Sequence, residues 1–194
     1  NKLKVTGEDI RFVDPSGNAL NYWYQPETFN TSSTIFWVKV PTVPNGASTI
    51  YAYYCDEYLN INSSNGSSVF DIFDDFSGYP IGDDIDGYGG WITDSLIDPN
   101  GAAEIIDVGG KNHLKIRSGT SFWYTSISKE LPVADNDYEA HVRFQVINDS
   151  GPAGISLQFS DGIHSYADGN ARTAYEGIID NRYLGIWKWN NYVQ

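Results

Sequence analysis

The chain has 194 residues, enough for one large or two small domains, and carries 25 acidic against 12 basic residues, a net charge of -13. Nucleic-acid-binding proteins present basic surfaces, so this charge argues against that class, and an anionic membrane surface would also repel the chain. No apolar run approaches the length of a membrane span, so we expect no membrane insertion of this segment.

Short strand patterns, separated by turn residues, fill the first part of the chain. Period-2 alternation and β-forming residues predict strands at 10–14, 20–29, 34–40 and 49–55. Fewer than about 60 residues rarely bury enough surface to fold alone. We therefore expect this first β unit, residues 1–58, to be incomplete or to be completed by other strands.

A connector rich in Asn, Ser and Gly follows at residues 59–68 and predicts a boundary before a second unit at 69–194. Helical patterns are nearly absent, and short strands recur with turn residues between them. This organisation predicts an all-β protein built as an antiparallel β-sandwich or jelly roll. The strands predicted for the second unit are residues 69–76, 90–93, 103–108, 113–117, 122–131, 138–147, 153–160, 174–180 and 183–190.

A series of motifs in the first unit supports a family comparison. The series is EDIRFVD at 8–14, then Gly17, YW at 22–23, FWVKVP at 36–41 and TIYAYY at 49–54. It resembles the later part of the DUF2341 domain, a module of large archaeal and bacterial surface and secreted proteins.

The phrase FDDFSG at 73–78 looks like the opening of a concanavalin A-like (laminin-G-like) jelly roll, which commonly follows that module. The resemblance implies a secreted or cell-surface protein with adhesive or glycan-related roles. It also implies that the first unit would begin upstream of residue 1 and that a full jelly roll would continue beyond residue 194. In the family a glycine is usual where Cys55 stands.

Sequence motifs for catalysis are absent. Glycoside hydrolases need two carboxylates roughly 5–10 Å apart across the sugar bond. The four glutamates after the connector are isolated from one another, and none of the three histidines has a metal-ligating or nucleophile-elbow context. We therefore expect no catalytic residues and no enzyme.

An acidic cluster predicts a cation site. Calcium takes about six to eight oxygen ligands, which carboxylates and loop carbonyls can supply. The spacing does not match an EF-hand, so a structural calcium is the interpretation, and solvated turn residues are the alternative. The candidate ligands are Asp74, Asp75, Asp83, Asp84 and Asp86.

Aromatic residues, 15% of the chain, predict a ligand surface. Trp187 and Trp189 share one face of the last predicted strand, about 7 Å apart, a spacing that suits stacking against sugar rings. The alternative is that these tryptophans form the core. The other residues predicted to contact a hydroxylated ligand are Trp123, Tyr124, Asp161 and His164.

One cysteine, Cys55, excludes a disulfide within the chain and, lying in a strand pattern, is predicted to be buried and inert. Four N-x-[S/T] sequons are typical of a secreted glycoprotein. The predicted glycosylation sites are Asn30, Asn62, Asn65 and Asn148.

Taken together, these patterns predict a non-catalytic extracellular or cell-surface binding or adhesion module. The expected ligand is a polysaccharide or a glycoprotein glycan. The alternative is a structural subunit that binds copies of itself by β-strand exchange, in a filament, tube or surface layer. A glycoside hydrolase is the third hypothesis.

Overall fold

The computed structural model describes residues 3–94, 102–117, 126–129, 141–142, 154–160, 174–180 and 184–189. These residues contain β-strands and two short 3-10 helices, which confirms the predicted all-β fold. They divide into two compact units between Asp75 and Phe76. In the part of the chain that the structure describes, no helix is long and apolar enough to cross a membrane.

The first unit has two small antiparallel sheets. In the first sheet, β1 lies between β2 and β5, and in the second sheet β3 pairs with β4. The predicted strand 20–29 is divided between β2 and β3. It ends with β3 because Pro26 begins a turn, in which Thr28 N donates to the Gln25 carbonyl at 2.9 Å. The strands are β1 (Arg11–Val13), β2 (Ala19–Leu20), β3 (Tyr22–Tyr24), β4 (Phe36–Val38) and β5 (Tyr51–Tyr53).

The core of the first unit joins residues from both sheets. Ile10, Phe12, Leu20 and Tyr22 are buried together. The Phe12 ring centroid lies 5.2 Å from that of Tyr22 and 5.4 Å from that of Phe36. The Tyr22 hydroxyl donates to the Ile10 carbonyl at 3.0 Å, so the buried phenol is satisfied, and burial raises its pKa.

A second aromatic group covers the other face of the β3–β4 pair. Trp23 and Trp37 are direct cross-strand partners. Phe73 lies 5.2 Å from Trp23, and Phe70 lies 5.5 Å from Trp37, measured between ring centroids. The prediction of a strand at 69–76 is therefore wrong: this segment is irregular because its rings pack onto the two tryptophans instead of alternating across a sheet.

Residues 56–65, which we call the strap, are bound to the first unit along their length. Lys4 Nζ donates to the carbonyls of Glu57 and Leu59. Arg11 Nη2 donates to a third strap carbonyl at 3.1 Å. At its end the strap forms a parallel β-bridge with β3. The Asn/Ser/Gly composition therefore accompanies an ordered segment held by side chains of the first unit.

The second unit contains a β7–β8 hairpin, a β6–β9 pair and a β10–β11–β12 meander, all antiparallel. Ile85, Ala103 and Ile105 are fully buried and form its described core. The predicted strand 138–147 lies outside the described residues, apart from 141–142. The strands are β6 (Trp91–Asp94), β7 (Ala102–Asp107), β8 (Asn112–Arg117), β9 (Ser126–Lys129), β10 (Gly154–Ser160), β11 (Ala174–Asp180) and β12 (Leu184–Trp189).

Candidate functional site

The first unit contains an open cleft of about 690 Å³, a volume within the range of small-ligand sites. The lining falls into an apolar set and a set that carries hydroxyl or amide groups. The apolar residues are Leu3, Ile10, Phe12, Phe36 and Ala52. The polar and aromatic residues are Asn30, Thr31, Ser32, Thr34, Tyr53 and Tyr54.

The β3–β4 turn, residues 25–35, is held by threonine hydroxyls. Thr31 Oγ1 and Thr34 Oγ1 both donate to the Thr28 carbonyl, at 2.6 and 2.9 Å. Thr28 Oγ1 accepts from Ile35 N at 3.0 Å. Asn30 sits in this turn with φ 59°, a left-handed conformation that asparagine tolerates. The turn is therefore fixed internally, and its polar residues line the cleft.

β5 supplies the aromatic part of the cleft. Its register places Ala52 opposite Phe12 and Tyr53 opposite Arg11. Tyr53 and Tyr54 are 59% and 52% exposed, so two large rings face solvent beside the cleft. Exposed rings with a hydroxyl at one end offer both an apolar face and a hydrogen-bonding group to a ligand.

A buried carboxylate fixes the backbone on two sides of the cleft. Asp9 is 1% exposed, and its Oδ1 accepts from Lys4 N at 3.1 Å while its Oδ2 accepts from Cys55 N at 2.9 Å. Each of these N–H groups follows a residue that lines the cleft, Leu3 in one case and Tyr54 in the other. Asp9 thus acts as a positioning residue.

The prediction that Cys55 is buried is wrong, because its side chain is exposed. β5 ends at Tyr53, before the cysteine, so the strand pattern does not extend to it. Cys55 has φ 72°, in the left-handed region that favours glycine. The glycine that is usual at this position in the resembled family fits this backbone conformation.

The acidic loop of the second unit is ordered by its own hydrogen bonds. Asp83 Oδ2 accepts from the Tyr88 hydroxyl at 2.8 Å, and this bond raises the pKa of Tyr88. Asp84 Oδ1 accepts from Asp86 N, and Asp86 Oδ1 accepts from Thr93 N, both at 2.8 Å. The loop also forms an antiparallel bridge to β7.

The five predicted calcium ligands are divided between the two units. Asp74 and Asp75 belong to the first unit, and the other three candidate aspartates belong to the second. Among the described residues, no group of three or more His, Cys, Asp or Glu side chains is placed to hold a metal ion. Calcium at this cluster stays a prediction.

The described residues that line the cleft include none of those predicted to contact a sugar. Trp187 and Trp189 lie in β12, opposite Glu176 and Ala174 of β11. Trp123, Tyr124, Asp161 and His164 lie outside the described residues.

The described sequon asparagines, Asn30, Asn62 and Asn65, are all exposed. Asn62 Nδ2 donates to the Thr6 carbonyl at 2.9 Å and to the Tyr24 hydroxyl at 2.7 Å. Asn65 caps the 3-10 helix Gly66–Ser68 through its side-chain oxygen. Asn30 is exposed and lines the cleft, and Asn148 lies outside the described residues.

Apart from Asn30, predicted as a glycosylation site, sequence reasoning did not single out the residues that line the cleft. Two signals were available. Three tyrosines, at 51, 53 and 54, mark an aromatic segment at β5 and directly after it. The run 28–34 is rich in Thr and Ser, which are typical of turns stabilised by hydroxyl groups.

The first unit is therefore an all-β module with an open cleft of ligand size. Residues 6–94 match the family model described as Domain of unknown function (DUF2341), which supports the resemblance found in the motifs of the first unit. Comparison with curated proteins and with solved structures gave no match.

Proposed function

We propose that this protein is a non-catalytic binding or adhesion module that acts outside the cell or at its surface, and that its ligand is a neutral glycan. The lining of the cleft carries the proposal. The described residues that line it include no Asp, Glu, His, Lys or Arg, although the chain as a whole has a net charge of -13.

The chemistry of the lining suits a sugar. A sugar ring has apolar C–H faces, which pack on aromatic rings, and hydroxyl groups, which bond to hydroxyls and amides. Six of the eleven lining residues carry a hydroxyl or an amide, which argues against a purely apolar ligand. An anionic saccharide would meet an unfavourable field from the acidic protein without a cation in the cleft to receive it.

The same lining argues against hydrolysis at this cleft. Glycoside hydrolysis requires two carboxyl groups roughly 5–10 Å apart. Carboxylates are missing from the described lining, so the cleft can bind a sugar but has no acid and base to cleave it.

Two other observations support a location outside the cell or at its surface. The DUF2341 match over residues 6–94 and the sequons are consistent with a secreted or cell-surface protein. We propose further that the second unit is a concanavalin A-like jelly roll, that Trp187 and Trp189 form a second sugar contact, and that calcium binds at the acidic cluster.

The test begins with the full chain on an array of neutral and anionic glycans. A neutral glycan that binds is then titrated into Tyr53→Ala, Tyr54→Ala and, as the control, Tyr58→Ala, whose ring is 85% exposed on the strap and does not line the cleft. Loss of a stacking ring should weaken binding about tenfold. The control should bind like the parent chain.

Two results would overturn the proposal. One is that the array shows no bound glycan, or anionic glycans alone. The other is that Tyr58→Ala weakens binding as much as the two cleft variants. Binding that is lost only in Trp187→Ala or Trp189→Ala would assign the glycan site to the second unit.

Assembly by strand exchange is the second candidate. β5 bonds to β1 along one edge, and in the sheets assigned to the described residues no strand pairs with its other edge. An open edge can accept a strand from another chain. Light scattering and electron microscopy, with and without EDTA, decide this: regular polymers favour assembly, and their loss in EDTA implicates the acidic cluster. A monomer under both conditions excludes it.

A further inference from the structure

We propose that Asn45, in the loop between β4 and β5, is a site of spontaneous deamidation through its neighbour Gly46, and that the fold suppresses the same reaction at a second Asn–Gly pair, Asn65–Gly66. Neither Asn45 nor Gly46 lines the cleft, so the reaction does not depend on the proposed function. Conversion of Asn45 to an acid adds one negative charge to a chain whose net charge is -13.

The reaction needs only the chain and water. The amide nitrogen of Gly46 gives up its proton and attacks Asn45 Cγ. The new N–Cγ bond closes a cyclic imide, the Cγ–Nδ2 bond breaks, and ammonia leaves with the proton. Water then adds to one of the two imide carbonyls and breaks its bond to the ring nitrogen, which leaves isoaspartate or aspartate. Glycine favours ring closure because it has no Cβ to crowd the attacking nitrogen or to restrict backbone rotation.

The peptide between Asn45 and Gly46 has room to close this ring. Residues 41–50 are all exposed, and they lie between β4 and β5 without regular secondary structure. Gly46 has φ 100°, a conformation that residues with a side chain rarely adopt. A Cβ added at Gly46 would meet no atom within 4 Å beyond its chain neighbours. The backbone can therefore rotate here without breaking a strand or displacing a packed side chain.

The second pair differs in the surroundings of its glycine. Asn65 is exposed, as Asn45 is, so the exposure of the asparagines does not separate the two sites. Gly66 is buried, and a Cβ added there would lie 2.3 Å from the Phe73 ring. Asn65 Oδ1 also accepts from Ser68 N at 3.3 Å, as the cap of a 3-10 helix. Ring closure at this pair would break the cap and move a backbone segment that is packed against Phe73.

The difference in rate follows from local opening. At Asn65 the ring closes only in molecules in which the cap and the packing around Gly66 have opened, whereas at Asn45 it closes in the native state. We expect Asn65 to convert at least about tenfold more slowly than Asn45 in the folded chain. Isoaspartate at position 45 lengthens the main chain only between β4 and β5, so the paired strands keep their register.

The experiment incubates the full chain at neutral pH, folded and in urea, and digests samples with chymotrypsin. The tyrosines between residues 51 and 58 separate the two sites, so different peptides report them. A third pair, Asn100–Gly101, lies outside the described residues and gives a further peptide. Mass spectrometry measures the loss of the amide, and enzymatic methylation with S-adenosylmethionine detects isoaspartate. The folded chain should convert Asn45 first, and in urea the two sites should convert at similar rates.

Three variants assign the cause. Asn45→Gln should abolish conversion in its own peptide and leave that of Asn65 unchanged. Phe73→Ala removes the ring beside Gly66 and should speed the conversion of Asn65 without changing that of Asn45. Phe70→Ala is the matched control, because Phe70 belongs to the same aromatic group on Trp23 and Trp37. It should speed the conversion of Asn65 less than Phe73→Ala does.

An Asn45 that keeps its amide in the folded chain overturns the inference. So does conversion of Asn65 as fast as that of Asn45 in the folded chain. If Phe70→Ala speeds the conversion of Asn65 as much as Phe73→Ala does, the packing around Gly66 is not what protects this pair, and that part of the inference is overturned.

Discussion

Replacement of Asp9 by asparagine tests the carboxylate that holds two sides of the cleft. Asp9 is 1% exposed and accepts one hydrogen bond from Lys4 N and one from Cys55 N. Asparagine keeps one carbonyl oxygen, but its amide nitrogen would face the second N–H. The substitution therefore removes one bond and leaves a buried donor without an acceptor.

The size of the effect follows from those two changes. A hydrogen bond to a charged group contributes about 1.5–3 kcal/mol, and a buried unsatisfied donor costs about 1–3 kcal/mol. Removing the buried charge recovers part of its desolvation cost. We expect Asp9→Asn to lower the free energy of unfolding by about 2–3 kcal/mol, measured by urea unfolding of the full chain.

Asp14→Asn is the matched control. The Asp14 carboxylate accepts from Asn18 Nδ2, Asn18 N and Ser16 N in a solvent-exposed turn, and these bonds, led by that of the Asn18 side chain, lower its pKa. Water can replace a lost bond there, so the control should lose less stability than Asp9→Asn. If both variants lost the same free energy of unfolding, the reasoning would be refuted, because the burial of Asp9 would then not account for its contribution to stability.

Three further changes test other features. Gly66→Ala would place a Cβ 2.3 Å from the Phe73 ring. Overpacking costs about 1–3 kcal/mol, so we expect the free energy of unfolding, measured by thermal and urea unfolding, to fall by about 2 kcal/mol. In a Phe73→Ala background the same substitution should have no such effect. Cys55→Gly should raise the free energy of unfolding by about 0.5–1 kcal/mol, because glycine relieves the left-handed backbone at φ 72°. Lys115 Nζ donates to Glu104 Oε1 at 2.9 Å, and this bond lowers the pKa of Glu104. The pair therefore stabilises the fold above the ordinary Glu pKa, and its contribution is lost as the pH falls through the lowered pKa. An NMR titration of Glu104 measures that pKa.

Each of these changes has its own control. Gly78→Ala meets no atom within 4 Å and should leave stability nearly unchanged. Cys55→Ala keeps a Cβ in the left-handed conformation and should give no gain, so a gain equal to that of the glycine variant would contradict the strain argument. In Lys115→Gln the Glu104 pKa should rise towards its usual range, and an unchanged value would contradict the assigned cause.

Local pattern located several of the strands. The predicted strand 174–180 coincides with β11, and β1 lies within the predicted 10–14. At 69–76 the apolar residues do not alternate, and a short apolar run cannot be assigned to a strand by periodicity alone. Its rings find their place by packing on Trp23 and Trp37, a tertiary contact that the local sequence does not encode.

The cleft could not be predicted because its parts are distant in the chain. The β1–β5 register that pairs Phe12 with Ala52 joins segments separated by three other strands and a long turn. The acidic cluster was the opposite case, because its aspartates are adjacent in sequence. In the structure, Asp84 and Asp86 accept bonds from backbone N–H groups of their own loop and of β6, which sequence proximity alone does not reveal.

The hydrogen bonds of the strap can carry a stretching force applied to the first unit. Lys4 Nζ donates to the carbonyls of Glu57 and Leu59. A stretching force applied between residues 4 and 59 therefore acts on these hydrogen bonds before it acts on those between the strands β1 to β5. Lys4 and Leu59 are 55 residues apart in sequence, and the chain between them carries no force until the bonds break. Its full extension would then release about 180–200 Å of chain. The first unit would in this way keep the shape of its cleft under a moderate force and lengthen under a larger one.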